Sequence, residues 1–101
     1  MDSKILKARN ICNNIINSRN YTDEQIHKAL KMPIELFNQA VVIFKLEQVP
    51  DIVELCGNYE HYLQLSAIDK FTINVLMVSL IEASLGIPTL DMLLNKIDNC
   101  Y

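Results

Sequence analysis

The stretch SAIDKFTINVLMVSLIEASLG, residues 66–86, decides the fold. Eleven uncharged residues separate Lys70 from Glu82, and Ile68, Phe71, Ile73, Val75, Leu76, Met77, Val78, Leu80, Ile81 and Leu85 make a helix apolar on nearly every side. Ser66, three residues before Asp69, has the chemistry of an N-cap, and Gly86 followed by Pro88 ends the run. An apolar core of this length falls well short of the roughly 20 residues a helix needs to cross a bilayer. The segment therefore reads as a central core helix, either wrapped by its own chain or shared in a homodimer.

Working outward, residues 4–18 place Ile5, Ala8, Cys12, Ile15 and Ile16 at spacings of three and four, which is one face of a first helix. Thr22 with Gln25 forms a capping box, and Asp23 and Glu24 suit the positive end of a second helix that presents Ile26, Ala29 and Leu30 and stops near Met32. Pro33 opens a third helix with Ile34, Phe37, Ala40, Val41 and Phe44 inward. The run 41–44 has strand-like composition, but no second such run offers it a partner, so it is read as helix. Pro50 opens a fourth helix carrying Ile52, Leu55, Cys56, Tyr59, Tyr62 and Leu63, with Gly57 a weak point in its interior. Thr89 caps a last helix with Leu90, Leu93, Leu94 and Ile97 inward.

Only two Gly and three Pro in 101 residues exclude a turn-rich β sandwich, and 50% hydrophobic with 21% charged residues fits a globular chain. The expected fold is all-α, a compact orthogonal bundle of about five to six short helices around a central apolar helix, forming a single domain over residues 1–101. Thirteen Ile and ten Asn, both read from A/T-rich codons, reflect coding bias and point to an A/T-rich genome, a phage or a mobile element.

Net charge is −3, yet residues 1–32 carry six cations against three acids while the remainder carries three against nine. The whole molecule has no long-range attraction for polyanions, and its N-terminal third is mildly basic. Cys12, Cys56 and Cys100 are odd in number and far apart, which indicates neither a disulfide framework nor a zinc finger. The first residues lack the apolar run of a signal peptide, so a cytoplasmic location is expected, with no membrane partner.

Candidates for chemistry are thin. His27, His61 and the cysteines form no convergent set, and Cys56 and His61, five apart, leave a helix in different directions. No phosphate-binding, dinucleotide-binding or zinc-protease motif occurs. The expectation is a non-enzyme with no catalytic residue, cofactor or metal.

Residues 22–43 approach a helix-turn-helix register through Ile26, Leu30, Met32, Leu36 or Phe37, and Ala40. His27 stands where a small residue is usual, Lys31 where Gly is usual, and Glu35 opposes phosphate. On this alternative a dimeric DNA-binding regulator would set Arg19, Lys28 and Lys31 on phosphates and Asn38 and Gln39 toward bases.

The stronger signal is surplus apolar surface, with Tyr21, Val42, Ile43, Leu46, Leu65, Met92 and Tyr101 difficult to bury in so small a bundle. The expected function is a helical protein-interaction module, a regulator, adaptor, chaperone-like protein or inhibitor. It would dock a protein partner on the third and fourth helices around Val42, Leu46, Tyr59 and Tyr62, with acidic residues on the rim, or accept a partner helix in a groove lined by Met and Tyr.

Overall fold

A computed structural model describes residues 3–46, 50–86 and 89–100. Among these residues there are seven helices and no strand: α1 (Ser3–Arg19), α2 (Asp23–Ala29), α3 (Ile34–Leu46), α4 (Pro50–Cys56), α5 (Tyr59–Leu63), α6 (Ala67–Leu85) and α7 (Thr89–Asp98). Residues 41–44 are helical, as their lack of a strand partner implied.

α6 is the axis on which the bundle is built. α1 lies along it, and α2 and α7 pack beside it. Lys70, Phe71, Thr72, Ile73, Asn74 and Val75 are six consecutive buried residues, which requires neighbours on every side of the helix. The chain supplies them all itself, so this stretch is no shared dimer core. One apolar cluster joins Phe71 to Cys12, Ile26 and Ile97, and a second joins Ile73 to Phe44, Ile52 and Tyr62. Leu76 packs against both. Full burial of each such large side chain contributes about 1.5–3 kcal/mol. The side chains of Ile81 and Leu85, and Pro88 and Tyr101, lie outside the described residues.

The boundaries follow local chemistry. Asn20 takes φ 58°, and the Tyr21 N–H donates to the Ile16 carbonyl at 3.1 Å, closing α1 in a Schellman turn. Such a turn directs the residue after the left-handed position back onto the helix. Tyr21 is accordingly buried, not surplus surface, and its hydroxyl donates to Asp98 Oδ1 at 2.6 Å. The capping box on α2 forms as the sequence indicates, and Ser66 accepts from the Asp69 N–H. Thr89 does not cap α7. Its hydroxyl donates to the Val78 carbonyl at 3.0 Å, and Glu82 instead accepts from the Leu90 N–H at 2.6 Å.

The largest departure from expectation is at Gly57. Its φ of +60° ends α4, and Asn58 caps α5 by accepting from the His61 N–H at 2.8 Å. The expected fourth helix is therefore two short helices, which explains seven helices instead of six. Ile34 and Leu63 are exposed, because α3 enters the core one turn later and α5 ends at Leu63.

Candidate functional site

α3 turns Phe37, Ala40 and Phe44 into the core, where they meet α4 and α5. That choice leaves Leu36, Gln39 and Ile43 on a second side of the same helix. α7 turns Leu94 and Ile97 inward, packs Leu90 and Leu93 at the core's edge, and presents Thr89, Met92, Leu93 and Lys96 to a groove. The two sets face a common groove of about 390 Å³, with Asn74, Met77 and Val78 of α6 as its floor and residues 30–33 as its end. Leu36 is 53% exposed and Met92 64% exposed. Three of the chain's four methionines, Met32, Met77 and Met92, line this one groove.

The end of the groove is held by α5. The Tyr59 hydroxyl donates to the Met32 carbonyl at 2.6 Å, and the Tyr62 hydroxyl donates to the Leu30 carbonyl at 3.3 Å. Asn74 Nδ2 in turn donates to the Tyr62 oxygen at 3.0 Å. Both rings pack on Phe37, with centroids at 5.5 and 5.2 Å. These contacts satisfy the carbonyls that α2 leaves open where Pro33 forbids continuation.

The groove carries charge of one sign. Its charged lining residues are Lys31, from the turn after α2, and Lys96, from α7. Both are exposed, and neither has an ion-pair partner among the described residues.

The sequence-predicted contact residues do not form one surface. Val42 and Leu46 are exposed on α3, beside the groove instead of in it. Tyr62 is fully buried and Tyr59 half-buried, so their role is internal bracing, which corrects their assignment to a docking face. Of the alternative DNA-contacting residues, Arg19 is paired with Asp98 at 2.7 Å and Lys28 with Glu24 at 3.7 Å. Lys31, Asn38 and Gln39 are exposed. α2 packs mainly on α6 and α7 while α3 packs mainly on α4 and α5.

The candidates for chemistry are dispersed. Burial pushes the thiols of Cys12 and Cys56 up to about 11. His61 packs its ring against Gly57, and His27 Nδ1 lies 2.9 Å from Lys70 Nζ. Among the described residues no three His, Cys, Asp or Glu side chains come together, and no helix is long and apolar enough to cross a membrane. A second apolar groove, of about 300 Å³, lies between α1, α4 and α6, where Ile11 and Leu80 meet Lys4 and Lys7.

No protein-family model, no curated protein and no solved structure matches the chain.

Of the apolar surplus read from the sequence, Val42, Leu46 and Met92 are exposed, Ile43 and Leu65 are half-buried and Tyr21 is buried. The methionines at 32, 77 and 92 share no helical period, and only the packing of three elements brings them together. The usable signal was α3 itself, whose apolar residues Leu36 and Ile43 fall outside the stripe set by Phe37, Ala40 and Phe44.

Proposed function

We propose that this chain is a helical protein-interaction module whose groove between α3 and α7 receives one helix of a partner protein. The observation that carries the reading is the matched spacing of the two walls. Leu36, Gln39 and Ile43 follow one another at three and four residues along α3, and Thr89, Met92 or Leu93, and Lys96 do so along α7. Two such ridges separated by an apolar floor form the seat into which a third helix packs, ridge into groove. Methionine suits the purpose, because its unbranched thioether adapts to partners of different shape.

The test uses an 18-residue amphipathic peptide with Leu at i, i+3, i+4 and i+7 and a Gln/Ser polar face, labelled for fluorescence anisotropy. Binding is expected to the full chain and to be lost in Leu36→Asp and Met92→Asp, with helical circular dichroism and melting temperature retained, since both side chains already face water. Absence of binding, or binding that both substitutions leave intact, overturns the reading.

A further inference from the structure

We infer that the helix this groove accepts is acidic along its flanks, and that Lys31 and Lys96 read that charge. The inference rests on the interaction-module reading just given and adds the chemistry of the partner. In a chain of net charge −3, the lining of this groove contains two cations and no acid. Glu35 and Asp91 adjoin Leu36 and Met92 in sequence, but neither lines the groove. Lys31 and Lys96 come from separate elements, so a helix lying along the floor meets a cation from the turn and another from α7. Both lysines keep their ammonium groups exposed and unpaired among the described residues, as rim cations that wait for a counter-ion must.

Of the remaining cations, Arg9, Arg19 and Lys28 are held in ion pairs with Asp69, Asp98 and Glu24, and Lys4 and Lys7 line the separate groove between α1, α4 and α6. This arrangement fixes orientation and register through the charged rim, while the methionines and Leu36 supply the apolar contact. A basic helix meets like charge on the same rim, and a nucleic acid finds an apolar floor that its phosphates cannot use.

The experiment compares three 18-residue peptides that share the Leu stripe and differ only in flanking residues, Glu, Gln or Lys, together with a random 20-base-pair duplex DNA. The Glu peptide is expected to bind about tenfold more tightly than the Gln peptide at low salt and to lose that advantage by 0.5 M salt, as screened rim pairs do. The Lys peptide is expected to bind more weakly than either. The double variant Lys31→Glu, Lys96→Glu is expected to reverse the order of the Glu and Lys peptides. Equal affinity for all three peptides, or an order the double variant does not alter, overturns the charge inference and leaves the groove reading standing. Failure of every peptide overturns both. Tighter binding of the DNA than of the Glu peptide, lost in the double variant, assigns the lysines to phosphate and also overturns the inference.

Discussion

The hydroxyl of Tyr59 donates to the carbonyl oxygen of Met32 at 2.6 Å, joining α5 to the turn that closes one end of the groove. Tyr62 repeats the contact one turn of helix later, on Leu30. Two tyrosines that read in sequence as surface anchors are thus internal braces. Tyr62→Phe removes a buried hydroxyl that serves both the Leu30 carbonyl and Asn74 Nδ2, and is expected to cost about 1–3 kcal/mol in urea unfolding. Tyr59→Phe, at a half-buried site that water can reach, is expected to cost less. If Tyr62→Phe is the milder of the two, the brace is misassigned.

The two glycines differ in what a methyl group would meet. At Gly57 a Cβ would lie 2.6 Å from the Cδ2 atom of His61 and the backbone would hold φ +60°. At Gly86 the φ is +68° and nothing lies within 4 Å. Gly86→Ala is therefore expected to cost about 1–2 kcal/mol for the left-handed conformation alone, and Gly57→Ala more than that. Adding His61→Ala to Gly57→Ala should recover only the steric part, measured as a double-mutant cycle in thermal unfolding. Equal costs at the two glycines would show that His61 yields freely.

Burial raises the thiols of Cys12 and Cys56 from 9.0 to about 11, so the folded chain keeps protons that the unfolded chain releases. Their contribution to stability is complete below pH 9 and falls as pH rises toward 11. Tyr21, raised to about 12 by burial and by the neighbouring Asp98 carboxylate, acts in the same direction above pH 10. The double variant Cys12→Ala, Cys56→Ala is expected to flatten the loss of melting temperature between pH 9 and 11, at the cost of a lower melting temperature at pH 7. At pH 8 in native buffer, a disulfide reagent is expected to modify Cys100, which is partly exposed, ahead of the two buried thiols. Equal labelling rates at all three would contradict the burial.

Lys70 is 6% exposed, and its ammonium donates to His27 instead of to a carboxylate. Desolvation lowers its proton affinity, so between that lowered value and 10.5 the unfolded chain holds more protons and stability from this group rises with pH. Lys70→Met keeps the length and removes the charge. It is expected to stabilise the fold by about 1 kcal/mol at neutral pH, with the gain shrinking toward pH 10.5. A destabilised Lys70→Met would mean that the bond to His27 outweighs the desolvation.

The legible part of the fold was the part written in local chemistry. Thr22 with Gln25, Ser66 with Asp69, and Gly86 each marked a helix end that the structure has, and the apolar run 71–78 marked the buried axis. Gly57 was misjudged because a glycine in a helical pattern reads as a mere weak point, whereas here it takes a left-handed φ that ends one helix just before Asn58 caps the next. Tyr21 was misjudged because the turn that buries it hangs on Asn20, a residue whose left-handed conformation is a choice and not a necessity. The groove was illegible for a stronger reason. It exists where α3 and α7 fail to pack on each other, and no pattern within either helix records the neighbour it lacks.

The most direct measurement is a ¹⁵N-¹H NMR titration of the full chain with the Glu-flanked amphipathic peptide. Shifts concentrated at Leu36, Gln39, Ile43, Met77, Met92 and Lys96 are expected, with Ile11 and Leu80 of the α1–α4–α6 groove unmoved. Shifts centred on Ile11 and Leu80 instead, or spread without focus over the surface, would contradict a helix seated between α3 and α7.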